Sequence, residues 1–280
     1  AGVVRGEPEM ELVRIATGAQ ATSTVWAEDA EIEPRAAPAV VDVKTLPALD
    51  FAGYPLELRT HRHHVFSGEG RGAEIEFSRG CPYGCSFCNR RFFRSRFRTR
   101  AVETTLSEIG ALKDRGVDYV YFIDEVFGLG GANELLGALE ATRPISFGCQ
   151  TRLDLWDEAR LVKLAGAGCV SVEFGLESPF PQQQQAINKG YHIDEERILE
   201  LMVFAKALIP WVQGDLIAMP GGDPGLRERT ERWRAKAIDR GVWISEPVDL
   251  FLYPGSDLHD EILGPIDDQS WDRALRASKG

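Results

Sequence analysis

Three cysteines lie close enough together in the sequence to ligate one metal centre. Cys81, Cys85 and Cys88 occur with the spacing C-x3-C-x2-C in a segment that contains glycine and proline. Three thiolates on one tight loop can hold three corners of a cubane iron–sulfur cluster and leave the fourth iron open to another ligand. The alternative is a structural zinc site, which needs a fourth protein ligand. The candidates for that ligand are His61, His63, His64 and Cys149.

Composition and charge narrow the classes of protein that fit. Of the five cysteines, three are too crowded to pair usefully in disulfides, so the pattern favours a reducing compartment, the cytoplasm. The net charge of −11 argues against general affinity for nucleic acid. No apolar run approaches the roughly 18 residues that span a bilayer, so we expect no membrane association. With 280 residues and 44% hydrophobic side chains, the chain can bury a core without disulfides.

Short apolar runs alternate with helical patterns over most of the chain. Strands are predicted at 74–78, 119–123, 145–147, 169–176, 211–219 and 242–253. Helices are predicted around 102–112, which Gly116 ends, and at 134–140, 157–167, 194–208 and 226–240. The glutamine run 182–185 is typical of a polar loop. The alternation predicts an α/β fold of parallel βαβ units, either an open sheet or a barrel, with functional groups at the carboxyl ends of the strands.

The cysteine segment resembles the signature of a known family. The run Ser78-Arg79-Gly80-Cys81-Pro82-Tyr83-Gly84-Cys85-Ser86-Phe87-Cys88 is similar to that of the radical S-adenosylmethionine (SAM) superfamily. Further stretches resemble its later motifs in the same order, and the resemblance covers about residues 74–256. These stretches are Phe122-Ile123-Asp124-Glu125, Glu173-Phe174-Gly175-Leu176-Glu177-Ser178, Asn188-Lys189-Gly190, Met219-Pro220-Gly221 and Tyr253-Pro254-Gly255-Ser256.

The resemblance implies a fold and a reaction. The implied fold is an incomplete (β/α)6 TIM-like barrel, which we prefer to a flat doubly wound sheet because motif residues at nearly every strand end must converge on one SAM molecule. The implied cofactors are a 4Fe–4S cluster held by Cys81, Cys85 and Cys88, and SAM bound at the open iron. Cleavage of SAM would give a 5′-deoxyadenosyl radical that abstracts hydrogen from the substrate. The cofactors supply this chemistry and the protein supplies positioning.

The resemblance also assigns roles around SAM. It implies that the backbone of Phe87 contacts the adenine, although Phe87 could instead be a buried anchor of its loop. Asp124 or Glu125 at a strand end could accept hydrogen bonds from the SAM ammonium. The alternative for these two carboxylates is compensation of a following helix N-terminus.

Four more residues follow later strands. Gln150 and Arg152 could clamp a carboxylate, and a purely structural role is the alternative for Arg152. Glu177 and Ser178 would face the ribose or methionine part of SAM, with capping of the next segment as the rival interpretation.

The cysteine segment lies in a strongly basic stretch. Residues 79–100 contain seven arginines and no acidic residue. Arginines interleaved with phenylalanines could stack on bases and pair with phosphates, which is the RNA-modifying alternative. Arg98 and Arg100 match an arginine pair that the family commonly carries before its first helix, which favours a structural or SAM-facing role. The interleaved residues are Arg90, Arg91, Phe92, Phe93, Arg94, Arg96, Phe97, Arg98 and Arg100.

Three segments are predicted from these patterns. Residues 1–70 form an N-terminal linker, in which the run Val3-Val4-Arg5-Gly6-Glu7-Pro8-Glu9 resembles the closing strand and turn of a cobalamin-binding domain. The stretch from Val41-Asp42 to Leu46-Pro47-Ala48-Leu49-Asp50 resembles the linker that follows that domain. Residues 71–256 form the core domain, and residues 257–280 form a C-terminal tail. The resemblance therefore implies a radical SAM enzyme of cobalamin-linked methyl transfer or related C–H chemistry, with any cobalamin bound mainly by a domain outside this sequence. A small-molecule substrate and an electron donor such as flavodoxin or ferredoxin are the expected partners. The alternatives are an RNA-modifying radical SAM enzyme and a non-catalytic iron–sulfur or zinc module.

Overall fold

The computed structural model describes residues 2–4, 6–22, 24–26, 40–58, 60–62, 69–89, 94, 96–218 and 224–278. The strands in these ranges are β1 (Gly2–Val4), β2 (Thr24–Trp26), β3 (Thr60–Arg62), β4 (Glu69–Ile75), β5 (Ser78–Arg79), β6 (Arg98–Thr99), β7 (Tyr119–Phe127), β8 (Ser146–Thr151), β9 (Cys169–Glu177), β10 (Trp211–Ala218), β11 (Trp243–Ile244) and β12 (Val248–Asp249). The helices are α1 (Glu9–Ala16), α2 (Val102–Asp114), α3 (Ala132–Thr142), α4 (Glu158–Gly166), α5 (Pro181–Ala186), α6 (Glu195–Leu208), α7 (Pro224–Ile238), α8 (Asp257–Leu263) and α9 (Ser270–Ala277).

One large sheet organises the fold. Its strand order is β3-β4-β7-β8-β9-β10-β11, and β12 also pairs with β10. All neighbours from β4 onward are parallel, and only the edge strand β3 is antiparallel. The parallel strands follow chain order without a switch point, which confirms the predicted barrel-type arrangement over a doubly wound sheet. Among the described strands, β11 and β12 do not pair with β3 or β4, so the barrel is incomplete.

Helices cover one face of this sheet and bury its apolar side chains. Helix α6 begins where the carboxylate of Asp194 accepts a hydrogen bond from the backbone N–H of Arg197 at 2.9 Å. Inside the sheet layer, the rings of Phe122 and Phe147 meet edge to face at 5.4 Å. The face of α6 turned to the sheet consists of buried residues at helical spacing, namely Ile198, Leu201, Met202 and Ala205.

Several elements differ from the sequence prediction. The strand predicted over 74–78 is divided between β4, which ends at Ile75, and the separate short strand β5. Strand β7 extends to Phe127 instead of ending near residue 123, because its polar end is bound to a neighbouring loop. The single strand predicted over 242–253 is two short strands, since Pro247 lacks the N–H that a continuous ladder needs. The glutamine run is helix α5 rather than a loop, with Pro181 favourably placed at its first position.

Buried ion pairs attach the N-terminal segment to the barrel. Arg98 donates to the carboxylate of Glu7 at 2.6 and 2.8 Å, and Glu7 also accepts from the backbone N–H of Val41. Arg100 donates to Glu108 at 2.8 Å, and Glu108 accepts from the backbone N–H of Leu49 at 2.7 Å. Of the two roles expected for Arg98 and Arg100, structural or SAM-facing, the contacts in the structure support the structural one.

The predicted tail contains two helices, α8 and α9, and its first helix touches the cysteine segment. The backbone N–H of Leu258 donates to the carbonyl oxygen of Ser86 at 2.9 Å. The segment boundaries at 70 and 256 stay predictions. In the ranges that the structure describes, none of the helices has the length and apolar character that crossing a membrane requires.

Candidate active site

The three clustered cysteines lie on a loop at the carboxyl end of the first barrel strand, and a short β-ladder holds its entrance. This cysteine loop, residues 80–89, directly follows β5, which pairs antiparallel with β6. Its first cysteine is fixed because the backbone N–H of Cys81 donates to the carbonyl oxygen of Arg94 at 3.0 Å. Gly80 has a φ of +89°, and a Cβ there would overlap the carbonyl of Arg96. Only glycine adopts this approach without strain.

Two carboxylates at the end of β7 hold the same entrance. Asp124 is fully buried and accepts hydrogen bonds from the backbone N–H groups of Phe77 and Ser78 at 2.9 and 2.8 Å, and from the Ser78 hydroxyl. Burial raises the pKa of Asp124 to about 7, although these hydrogen bonds favour its ionised form. Glu125 accepts from the backbone N–H of Gly80 at 2.7 Å and from the guanidinium of Arg94 at 2.6 Å. Both carboxylates therefore position the cysteine loop.

The far side of the cysteine loop rests on the segment that follows α5. The side-chain amide of Asn188 donates to the carbonyl oxygen of Gly84 at 2.7 Å, and the backbone N–H of Ser86 donates to the carbonyl oxygen of Ile187 at 2.9 Å. Asn188 has a φ of +50°, a conformation that asparagine tolerates better than most residues. The loop is thus fixed from both sides by backbone contacts.

The cysteines face a common cavity. None of the five cysteines forms a disulfide, and Cys81, Cys85 and Cys88 line one cavity of about 400 Å³. Burial raises the pKa of the Cys85 thiol, and the positive charges of Lys189 and Arg152 oppose this shift. The other residues that line the cavity are Tyr83, Phe87, Glu125, Val126, Gln150, Thr151, Arg152, Glu173, Gly175, Glu177, Lys189 and Asp215.

The described residues do not contain the four converging ligands that a structural zinc site needs. Within the described ranges, no three His, Cys, Asp or Glu side chains converge as the ligands of a single metal ion would. A cubane cluster is larger than one ion, so three thiols around a cavity suit it better. Cys149 is buried on β8 and interacts with the thiol of Cys169. Of the histidine candidates, His63 and His64 and the side chain of His61 lie outside the described residues.

The sequence of this chain matches a known family over the residues that build this cavity. The sequence profile of the Radical SAM superfamily matches residues 75–233, which is more than half of the chain. The chain belongs to the radical SAM superfamily. Members of this superfamily are enzymes that use an iron–sulfur cluster and SAM. The resemblance predicted from the sequence is confirmed.

Two curated relatives are named as methyl-transferring enzymes. The chain is 31% identical over 221 residues to the hopanoid C-3 methylase of Methylococcus capsulatus, covering 76% of this chain and 39% of that protein. It is 30% identical over 118 residues to an uncharacterized methyltransferase of Pyrococcus horikoshii, covering 40% of this chain and 26% of that protein. The chain thus spans between a quarter and two fifths of the length of these relatives.

A solved structure shares the fold. The radical SAM methyltransferase TsrM from Kitasatospora setae, with tryptophan substrate and a SAM analog bound, superposes with a TM-score of 0.71 at 18% identity over 93% of this chain and 53% of that chain. Another structure of the same protein holds cobalamin and a [4Fe–4S] cluster. At this identity the likeness establishes the radical SAM barrel and nothing finer.

The radical SAM barrel brings together five of the seven residues predicted to bind SAM. Phe87, Glu125, Gln150, Arg152 and Glu177 line the cavity with the cysteines. Asp124 and Ser178 do not line it. Ser178 accepts a hydrogen bond from the backbone N–H of Phe180 at 3.1 Å and donates to the side chain of Gln183 in α5. These contacts tie the end of β9 to α5 without capping it, because the N-cap residue of α5 is Phe180 and no side chain caps the helix there.

Arg152 is already committed to partners on three sides. Its guanidinium donates to Asp154 at 2.8 and 3.0 Å and to the carbonyl oxygen of Lys189 at 2.7 Å. It also stacks on the ring of Tyr83 at 3.8 Å, and one nitrogen lies 3.9 Å from the sulfur of Cys85. This arrangement connects the end of β8 to the cysteine loop and leaves little of the guanidinium for a ligand.

Lys189 is a cavity residue to which the sequence analysis gave no role. Its ammonium pairs with Glu177 at 2.6 Å, and its side chain is only 6% exposed. Glu177 has a φ of +58°, which is unusual for a residue other than glycine and is found most often at functional sites. The position of Lys189 in an Asn-Lys-Gly stretch was a visible signal, but its approach to Glu177 depends on the turn after α5.

Four of the five described arginines of the basic stretch bind carboxylates of this chain, and the fifth, Arg96, is exposed. Arg79 donates to Glu76 at 2.6 and 2.9 Å, and Arg94, Arg98 and Arg100 hold Glu125, Glu7 and Glu108 respectively. Arginines used in this way are not available to phosphates, which weakens the RNA interpretation. Arg90, Arg91, Phe92 and Phe93 lie outside the described residues, as do Met219, Pro220 and Gly221.

Proposed function

We propose that this radical SAM enzyme transfers a methyl group, with cobalamin, to a carbon atom of a small-molecule substrate. The observation that carries the proposal is the shared cavity, in which the thiols of Cys81, Cys85 and Cys88 meet polar groups from the ends of three successive parallel strands. Functional groups of such barrels gather at this end of the strands.

The residues present fit a 4Fe–4S cluster. Three thiols without disulfide partners face one space, and the loop that carries them is fixed by backbone hydrogen bonds on both sides. Arg152 and Lys189 provide positive charge beside Cys85, which favours its thiolate form. Cys81, Cys85 and Cys88 would hold the cluster, which would supply the one electron needed for reductive cleavage of the C5′–S bond of SAM to methionine and a 5′-deoxyadenosyl radical.

The same cavity offers polar groups for the amino-acid part of SAM. Gln150 donates to the carbonyl oxygen of Asp124 at 3.1 Å, which orients its amide at the cavity wall. We assign the SAM carboxylate to Gln150 and Lys189, because Arg152 is held by Asp154 and Tyr83. Glu177 accepts from the ammonium or the ribose hydroxyls.

The remaining predicted residues divide between one contact with SAM and three positioning roles. Phe87 lines the cavity between two ligand cysteines, which suits a backbone contact with the adenine. Asp124, Glu125 and Ser178 serve as positioning residues, because their carboxylates or hydroxyl are occupied by the cysteine loop and by α5.

Methyl transfer and cobalamin rest on the relatives. Two curated relatives carry methylase or methyltransferase names, and TsrM is a methyltransferase solved with cobalamin. We assign no residue in the described ranges to cobalamin. An electron donor of the flavodoxin or ferredoxin type would reduce the cluster.

Product analysis tests the proposal. The protein is reconstituted without oxygen, reduced, and given SAM that carries a trideuterated methyl group, with and without added hydroxocobalamin. We expect 5′-deoxyadenosine and methionine from wild type and neither above background from Cys81→Ala. Methyl transfer is tested on the chain together with the cobalamin-binding domain that the resemblance implies, because the chain by itself should bind cobalamin only weakly. Formation of S-adenosylhomocysteine there only in the presence of cobalamin supports methyl transfer, whereas its absence under all conditions would remove methyl transfer and leave the radical SAM assignment standing.

A further inference from the structure

Two carboxylates line the cavity at a deeper level than the cysteines. Glu173 lies on β9 and Asp215 on β10. The two strands are parallel neighbours, with Gln213 opposite Glu173 and Asp215 opposite Gly175. Glu173 precedes Glu177 by four residues on β9, and the pairing with β10 is irregular between them, since Asp215 pairs with Gly175 and Leu216 with Glu177. Both glutamates line the same cavity, which therefore extends from the residues that we assign to SAM to Glu173 and Asp215.

The wall between these two levels is open because of a glycine. A Cβ at Gly175 would lie 3.1 Å from Oε1 of Glu177 and 3.4 Å from Nζ of Lys189. Any larger side chain would therefore crowd the ion pair and narrow the passage. Glycine at this position keeps the two levels in one continuous cavity.

The partners of the two carboxylates in the described residues are neutral groups. Tyr121 hydrogen-bonds to Glu173, and the side-chain amide of Gln213 donates to Asp215 at 3.0 Å. No lysine or arginine of the described segments contributes to the pKa of either carboxylate. By contrast, Glu177 in the same cavity is paired with Lys189 at 2.6 Å.

Electrostatics disfavours the doubly ionised form of this pair. Burial raises the pKa of Glu173, and the negative charge of Asp215 raises it further. Burial also raises the pKa of Asp215. A cation placed between two such carboxylates relieves both effects at once. Unrelieved pairs of this kind are found preferentially at functional sites.

We infer that Glu173 and Asp215 recognise a protonated amine on the substrate and thereby fix which of its carbon atoms faces SAM. The inference rests on the proposed function, because it takes this cavity as the substrate site. Both side chains keep their neutral hydrogen bonds and accept further hydrogen bonds from the ammonium group. Glu173 and Asp215 lie in one continuous cavity, and no lysine or arginine of the described segments pairs with them. A ligand that supplies the positive charge is therefore expected, which defines the substrate class as small primary or secondary amines.

Matched fluorinated compounds test this recognition directly. 4-Fluorobenzylamine and 4-fluorobenzyl alcohol have nearly the same size, and only the first is charged at neutral pH. Their binding to the reconstituted protein is followed by the transverse relaxation of the 19F signal. We expect the amine to bind at least tenfold more tightly than the alcohol to wild type, and this preference to disappear in the Glu173→Gln/Asp215→Asn double variant.

A charge-matched control separates the cavity from the general surface. Glu196→Gln/Glu200→Gln removes the same charge from the exposed face of α6 and should keep the full preference for the amine. If the first double variant unfolds at the measuring temperature, Asp215→Asn alone should reduce the preference at least threefold. An amine that binds wild type no better than the alcohol, including no detectable binding of either at 20 mM, would overturn the inference, as would a preference that survives in the double variant. The measurement needs no SAM cleavage, so its failure is distinguishable from failure of the proposed reaction.

Discussion

The guanidinium of Arg152 lies flat over the ring of Tyr83, with 3.8 Å between the guanidinium carbon and the ring centroid. Arg152 follows the third parallel strand and Tyr83 lies between two ligand cysteines, so this contact joins the barrel to the cysteine loop. It explains why an arginine that looked like a ligand clamp in the sequence acts as a positioning residue here.

Arg152→Lys should therefore loosen the cysteine loop. A lysine cannot stack on Tyr83 and hold Asp154 with two hydrogen bonds at once. We expect the variant to lose about 1–3 kcal/mol of unfolding free energy and to retain less than half of the wild-type iron and sulfide. The control is Arg229→Lys, which loses a stack on Phe180, a residue outside the cysteine loop. Equal cluster content in Arg152→Lys and Arg229→Lys would show that the stack does not hold the loop.

Each ligand cysteine should be essential for the cluster, because a cubane with two protein thiolates loses both affinity and its defined open iron. Cys81→Ala, Cys85→Ala and Cys88→Ala should each abolish stoichiometric iron and sulfide. Cys149→Ala should leave cluster content unchanged and cost about 1 kcal/mol of stability from the small buried void. Wild-type iron and sulfide in any one of the three ligand variants would contradict this assignment.

Gly80→Ala should distort the entrance of the cysteine loop. The positive φ and the overlap with the Arg96 carbonyl require the backbone to move, at a cost of about 1–3 kcal/mol. Gly110→Ala is the matched control, because it lies in α2 with open space around a new Cβ and should stabilise the helix by about 0.5–1 kcal/mol. Chemical denaturation and iron analysis of both variants check the pair, and a Gly80→Ala protein as stable as Gly110→Ala would refute the prediction.

Asp124 should make stability depend on pH. Its pKa is raised to about 7 in the folded chain and is about 3.9 in an unfolded one. The folded state therefore holds this proton more tightly, and the contribution of Asp124 to the unfolding free energy falls as pH rises from about 4 to 7. Unfolding free energies of Asp124→Asn should vary less over pH 5–8 than those of wild type, while Asp157→Asn, at the exposed N-cap of α4, should keep the wild-type slope. Parallel slopes for wild type and Asp124→Asn would contradict the assignment.

Spacing and strand periodicity were enough to predict much of this site. The cysteine triplet needed only its own spacing, and alternating strands and helices predicted the parallel barrel order. Asp124 and Glu125 were recognisable at a strand end, but their partners at Phe77, Ser78 and Gly80 are more than forty residues away in sequence. Strand pairing alone brings those groups together, so the sequence could suggest a ligand role and not the positioning role.

Two cavity residues were harder to recognise for a different reason. Glu173 could be recognised only as part of a family motif. Asp215 lies in an apolar strand, where the sequence pattern predicts that a single acidic residue faces solvent. Their significance depends on the register between β9 and β10 and on the absence of a side chain at Gly175. Register depends on which face of each strand is buried, and a slip of one residue would move Asp215 to the other face of the sheet.

The proposed chemistry depends above all on Cys81, Cys85 and Cys88 holding a 4Fe–4S cluster whose fourth iron binds SAM. Electron paramagnetic resonance of the reduced, reconstituted protein tests this arrangement, because a ligand on that iron alters the g values of the cluster. We predict that SAM shifts the spectrum of wild type and that Cys81→Ala, Cys85→Ala and Cys88→Ala show no corresponding signal. A reduced-cluster spectrum that saturating SAM leaves unchanged would contradict SAM binding at the open iron.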